Sequence, residues 1–258
     1  YSESADGQLI EEGITECGSM SSFIAAGTSY ANLGVPMVPF YTFYSMFGFQ
    51  RVGDSIWSAA DSRARGFLLG ATAGRTTLAG EGLQHQDGHS LLLATSVPAC
   101  QAFDPAFAYE LGAIIDDGLN RMYGHEDSHR NEDVFYYVTI YNEPYEMPPQ
   151  PDHVTDADVV RGLYLWADAP DGEDATSRAT VLFSGSAQGA AREAADELAD
   201  RWGVAVDLWS ATSYKRLREE ALAVERQNRL HPLEAAGVPL VTRLLADGEG
   251  PVVAVSDY

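Results

Sequence analysis

Three short, unbroken apolar runs constrain the fold more than any other feature: GFLLGA ending at Ala71, VFYYVTIY from Val134 to Tyr141, and ATVLF ending at Phe183. Each is far too short to cross a membrane and too uniformly apolar to have one wet face. Such runs read as strands buried on both sides, the pattern of a parallel sheet covered by helices. The intervening segments supply the helices. Phe107, Leu111, Ile114, Ile115, Leu119 and Met122 form an apolar stripe across 105–122, and Ala191, Ala194, Leu198 and Trp202 form another between ATVLF and VAVDL. Strand, helix, strand is a βαβ unit, so the fold class is α/β with parallel sheets.

Between Asn142 and Asp158 the sequence NEPYEMPPQPDHVTDAD carries four prolines and five scattered acidic residues, the best linker in the chain. It divides the sequence into residues 1–150 and 160–258, with 142–159 as the connection. Ahead of the first strand, Ile14, Cys17, Phe23 and Ile24 recur at helical spacing and predict a helix from Ile10 to about Gly34. Pro36 to Phe49 is aromatic-rich and reads as a strand or loop passing into a buried helix. The chain opens on Tyr1 rather than Met and stops after the strand-like PVVAVSDY, so both ends read as cuts.

The balance of 38 acidic against 16 basic residues, a formal charge of -22, repels phosphate backbones and anionic lipid surfaces. Nucleic acid and membrane are excluded as partners on this ground. No apolar run approaches a membrane span and the first residues lack a basic and apolar leader, which gives a soluble, cytoplasmic expectation. Cys17 and Cys100 are too few for a disulfide framework or a four-sulfur zinc site, and both are expected to be reduced packing residues.

The segment GRTTLAGEGLQHQDGHS, Gly74 to Ser90, holds four glycines and two histidines in seventeen residues. It is a poor helix or strand and a good functional loop after a buried strand. Glu81, His85, Asp87 and His89 are its chemically capable side chains. Two histidines with two carboxylates can bind zinc, but the helical H-E-x-x-H spacing is missing, so a metal-dependent hydrolase is the lesser reading. Glu12 and Glu16 lie one helical turn apart, and composition alone gives either a solvated role at a helix start. Tyr44 and Phe47 are, on the same basis, ordinary core aromatics. SGSAQG fails the G-x-S-x-G pattern and reads as a structural turn.

Taken together, EEGITECGSM, PFYTFYSMFGFQR, GRTTLAGEGLQHQDGHS and FDPAFAYELGAIIDDGLNRMYG closely resemble the homodimeric bacterial pyruvate dehydrogenase family, thiamine-diphosphate-dependent decarboxylating enzymes of the wider transketolase-like group. The four blocks stand in the family's order, and the resemblance runs essentially end to end. It implies that residues 1–150 are part of a domain that holds the aminopyrimidine of thiamine diphosphate, and that 160–258 open a C-terminal α/β domain. The family's diphosphate signature, a GDG followed at a distance by paired asparagines, does not occur here, so Mg2+ and its ligands are expected outside this chain. The implied reaction is decarboxylation of pyruvate followed by reductive acetylation of a lipoyl group on an acetyltransferase partner.

Residue by residue, Glu16 of GITE matches the glutamate that hydrogen-bonds the pyrimidine ring nitrogen. A carboxyl that shares a proton with that nitrogen lets the cofactor act as its own base, for which the glutamate is expected to be buried with a raised pKa. Tyr44 and Phe47 of YSMF match the aromatics along the pyrimidine face. His85 of LQHQDGH matches a histidine facing the substrate, and Arg51 of FQR is expected to fix the loop or the dimer contact. Glu81, Asp87 and His89 are assigned only as possible substrate or loop residues. A non-catalytic fragment of the same fold is the other rival reading.

Overall fold

The computed structural model of the chain describes residues 4–127, 130–169 and 177–258. The first sheet is built from β1 (Phe40–Tyr44), β2 (Gly66–Ala71), β3 (Cys100–Phe103) and β4 (Phe135–Thr139), ordered β1-β2-β4-β3 with every pairing parallel. Because side chains alternate along a strand, each apolar run feeds two cores at once. Phe135 and Tyr137 of β4 point to one face, where they meet Met20 and Phe23 of α1 (Glu16–Gly27) and Val52 and Ile56 of α3 (Gly48–Asp61). Tyr136 and Val138 point to the other, against Ile114 and Met122 of α5 (Ala108–Tyr123). Two short helices, α2 (Ser29–Asn32) and α4 (Ser90–Ala94), complete this half.

The first helix is shorter than the periodicity predicts. Residues 8–15 are not helical, Ile10 and Ile14 are exposed, and α1 begins at Glu16 behind Thr15, whose side chain accepts from the Gly18 N–H. A threonine hydroxyl that satisfies a first-turn amide ends the pattern that Ile10 and Ile14 otherwise extend. Cys17 is also exposed, contrary to the packing role expected of it, whereas Cys100 is buried as expected.

The chain from Asn142 to Val154 has no regular structure, but α6 (Asp156–Arg161) begins inside the proline-rich segment. Thr155 and Asp158 form a reciprocal capping box there. The second sheet follows: β5 (Tyr164–Ala167), β6 (Ser177–Phe183), β7 (Val204–Ser210) and β8 (Val252–Val255), ordered β5-β7-β6-β8. It is not wholly parallel, because β5 enters antiparallel to β7. The helix α7 (Gln188–Trp202) turns Ala191 and Leu198 inward as expected, but Ala195 takes the place of Ala194, and Ala194 and Trp202 are exposed. The other face is covered by α8 (Tyr214–Leu230) and α9 (Leu240–Leu244).

Two buried acids join the halves. Glu110, in the first turn of α5, accepts from the Ala106 and Phe107 amides, the Tyr164 hydroxyl and the Ser210 hydroxyl, at 2.5, 3.1, 2.5 and 2.5 Å. Asp104 accepts from Thr139, Tyr141 and Ser184. Burial lifts both carboxyls above the usual range, against the donors that favour the anion. A buried lysine adds a third tie, Lys215 donating to the carbonyls of Ala94 and Val97.

Glu110→Ala removes the acceptor of the Ala106 and Phe107 amides and the Ser210 hydroxyl, while the Tyr164 hydroxyl keeps Tyr109 as a partner, and should cost about 3 kcal/mol or more. Since the folded carboxyl holds its proton more tightly than the unfolded one, the stability it contributes is fullest below about pH 4 and declines as pH rises through the folded value. Glu110→Gln, which cannot titrate, should therefore show its largest deficit in acid, narrowing toward neutral pH. Denaturant unfolding across this range measures both effects.

Candidate functional site

The parallel register of β1 and β2 sets Tyr44 opposite Ala71. Both strands end there, so the turn after Tyr44 and the loop after Ala71 emerge side by side at the carboxyl edge of the sheet, where α/β proteins bind ligands. Ser45–Phe47 forms a single 3-10 turn into α3, and Leu83–His85 forms another within the loop. These turns bring Tyr44, Phe47 and His85 into one half-buried cluster. The Tyr44 and Phe47 rings lie 5.3 Å apart, and His85 sits 5.4 Å from Tyr44 and 5.8 Å from Phe47 between ring centroids.

Charge is laid around this cluster. The Tyr44 hydroxyl donates to Glu81 Oε2 at 2.5 Å; burial first, and then this bond, raises the phenol above its ordinary value, with Thr72 opposing. His85 Nδ1 lies 3.2 Å from the Glu81 carbonyl oxygen. A carbonyl can only accept, so Nδ1 carries the proton in that contact and Nε2 is the lone-pair nitrogen of the neutral ring. On the other side the Arg51 guanidinium lies 4.0 Å over the Phe47 ring and donates to Glu16 Oε1 at 2.7 Å. Glu16, Arg51, Phe47, Tyr44, His85 and Glu81 thus form one continuous chain of contacts across three sequence segments.

Glu16 departs from its expected setting. It is partly exposed rather than sealed, with 19% of its side chain open and an ion pair to Arg51. Its other oxygen, Oε2, has no hydrogen-bond partner among the described residues. The position follows from the short helix: as the first residue of α1, Glu16 stands at the lip of the sheet beside α3.

The remaining loop residues separate from the cluster. Asp87 is fully buried and accepts from the His89 and Ser90 amides and the Ser90 hydroxyl, which makes it the anchor of α4. His89 is exposed. Among the described residues no group of three or more His, Cys, Asp or Glu side chains is placed to hold a metal, so the geometry gives the hydrolase reading no support. Thr72 was not legible as a site residue. It follows β2 at φ +50°, a conformation rare for threonine, and lies against Tyr44.

These placements separate two kinds of residue. Asp87→Ala should lower stability by about 2 kcal/mol, since it uncaps α4 and strands the buried Ser90 hydroxyl. His85→Ala should change stability by less than about 1 kcal/mol. Unfolding free energies of the two variants measure the contrast.

Residues 1–148 match the family described as the pyruvate dehydrogenase E1 component middle domain. Over all 258 residues the chain is 56% identical to the pyruvate dehydrogenase E1 component of Mycolicibacterium smegmatis, covering 27% of that protein. It is 55% identical to that of Mycobacterium tuberculosis, again covering 27%, and 46% identical to that of Escherichia coli K12, covering 28%. The chain therefore spans about a quarter of the length of the curated relatives it matches. Among solved structures, transketolase from Campylobacter jejuni aligns with a TM-score of 0.62 at 19% identity, over 90% of this chain and 30% of that one. Transketolase from Leishmania mexicana aligns at 0.61 and 18%, over 86% and 27%. At such identity these structures establish the fold alone.

Proposed function

Because the chain belongs to the pyruvate dehydrogenase E1 component middle-domain family, we propose that it supplies the pyrimidine-holding half of a thiamine-diphosphate site that decarboxylates pyruvate. The observation that carries this reading is the cluster itself: two half-buried aromatic faces, a carboxylate with one unengaged oxygen, and a histidine on the loop above. On this reading residues 1–150 are part of the pyrimidine-binding domain and 160–258 begin the C-terminal α/β domain.

The residues fit a flat heteroaromatic ring. Tyr44 and Phe47 offer apolar area at small entropic cost, and Glu16 Oε2 can exchange a hydrogen bond with a ring nitrogen while Arg51 holds Oε1. When bound, thiamine diphosphate supplies the carbon nucleophile and the electron sink for decarboxylation. Glu16 holds a proton at the ring nitrogen, Tyr44 and Phe47 orient the ring, and Arg51 keeps Glu16 from turning away. His85 serves later, orienting the pyruvate carboxylate or moving a proton at the substrate. Arg51 is already engaged by Glu16 and Phe47, so the diphosphate and Mg2+ are assigned to parts of the complete protein outside this chain.

Two features support an assembled enzyme. Leu9, Ile10 and Ile14 are exposed just ahead of Glu16, and Leu83 and Leu92 are exposed on either side of the His85 to Ser90 segment. Apolar surface flanking a site is what a second subunit covers, which favours a homodimer with the site at its interface. Reductive acetylation of a lipoyl-bearing acetyltransferase follows as the second half-reaction. Among the described residues no helix is long and apolar enough to cross a membrane, and a cytoplasmic location accords with this chemistry.

In the complete protein Glu16→Gln should lower pyruvate decarboxylation by on the order of 10²-fold or more, because an amide cannot pass a proton. His85→Ala should keep cofactor affinity while losing about 10²-fold in turnover. Steady-state turnover and cofactor titration on the same preparations decide both: near-normal decarboxylation in Glu16→Gln removes that residue from the mechanism, and loss in His85→Ala explained wholly by lost cofactor removes the other.

A further inference from the structure

We propose that Asp257, carried by the second sheet, is a positioning residue that sets the loop presenting Glu81 and His85 to the site. Asp257 follows β8 and is almost wholly buried, 7% exposed. Among the described residues its carboxylate is met by amide and hydroxyl donors rather than by a cationic side chain. Oδ2 accepts from the Arg75 amide at 2.9 Å, and Oδ1 accepts from the Thr76 amide at 3.0 Å and the Thr76 hydroxyl at 2.7 Å. Two consecutive backbone amides and a hydroxyl are thus fixed by a residue more than 180 positions away in sequence. Consecutive N–H groups converging on one anion form a rigid concave turn.

The residue just before this turn is built around the same carboxylate. Gly74 has φ +84°, and a side chain there would collide with Asp257 Oδ2. The Gly74 carbonyl accepts from the Asp87 amide at 3.0 Å, which closes the loop at its base, and the Arg75 guanidinium lies across to Gly88. Leu78, fully buried, pins the first turn beyond. From these anchors hangs the segment with Glu81 and His85, whose contacts to Tyr44 and Phe47 are half-buried and few. The base therefore decides where His85 sits over the aromatic pair. A shift of an ångström in such a group costs about 10²-fold in rate, so an acid remote from the chemistry governs turnover through the loop.

The turnover arm of the test rests on the function proposed above; the exchange arm does not. Amide hydrogen exchange of the cofactor-free complete protein, followed by mass spectrometry, reads the segment 74–90 directly. In Asp257→Ala, exchange at Arg75 to His89 should rise about tenfold or more, while peptides from β2 and β4 keep their native protection. Asp257→Asn, which keeps one acceptor, should fall between, and Thr76→Val, at an exposed position, should give a smaller rise. In the same variants kcat for pyruvate should fall about tenfold or more with KM within about threefold. Unchanged loop exchange in all three overturns the clamp. Faster exchange throughout the protein makes Asp257 a stabilising residue only, and a loosened loop with native kcat removes its positioning role. Should Asp257→Ala fail to fold, Asp257→Asn and Thr76→Val decide the same points. If the native protein consumes no pyruvate, the proposed function falls while loop exchange still decides the clamp.

Discussion

The parallel pairing of β1 with β2 is the constraint on which the site depends. With Tyr44 level with Ala71, the aromatic turn and the glycine-rich loop leave the sheet at the same height and on the same edge. A register slip would separate them and invert every side chain of β1. That register is held from both faces. Phe43 stacks on Tyr137 beneath the site, and Phe40 stacks on Phe67 at the far end of the strand. The apolar residues that build the sheet are thus the ones that align the chemically active segments.

Within the site the forces are individually modest. The Glu16 to Arg51 ion pair has an arginine side chain half open to solvent, and such a pair contributes at most about 1 kcal/mol. Its value lies in direction: the guanidinium stacks on Phe47 and leaves one carboxylate oxygen of Glu16 unengaged. The strong polar interactions are placed elsewhere, at Glu110, Asp104 and Asp257, where buried carboxylates tie the second sheet to the first. A rigid junction beneath a lightly held site suits a surface that must admit and release a ring.

β2, β4 and β6 were legible because they are short apolar runs, and α5 because its stripe is regular, whereas β3 and β5 span only four residues each. The start of α1 was not legible, since Ile10 and Ile14 mimic helical spacing while the Thr15 hydroxyl caps the first turn and sets the helix start at Glu16. The capping box of Thr155 and Asp158 stood in the sequence, masked by the prolines ahead of it. The antiparallel entry of β5 depends on tertiary pairing that no local pattern encodes. Glu16, Tyr44 and Phe47 were singled out by resemblance alone, whereas the glycine-rich loop already marked His85; the fold supplied their convergence and separated Asp87, a helix anchor, from them. Asp257 could not have been found by local reading, because its partners, Arg75 and Thr76, lie more than 180 positions away in sequence.

The central claim is that the face formed by Tyr44, Phe47 and Glu16 holds the aminopyrimidine ring. A crystal structure of the complete protein with thiamine diphosphate and Mg2+ tests it most directly. The ring should lie against Tyr44 and Phe47, with a ring nitrogen within hydrogen-bond reach of Glu16 and the diphosphate held by residues outside this chain. A cofactor whose pyrimidine lies away from these three side chains would contradict it.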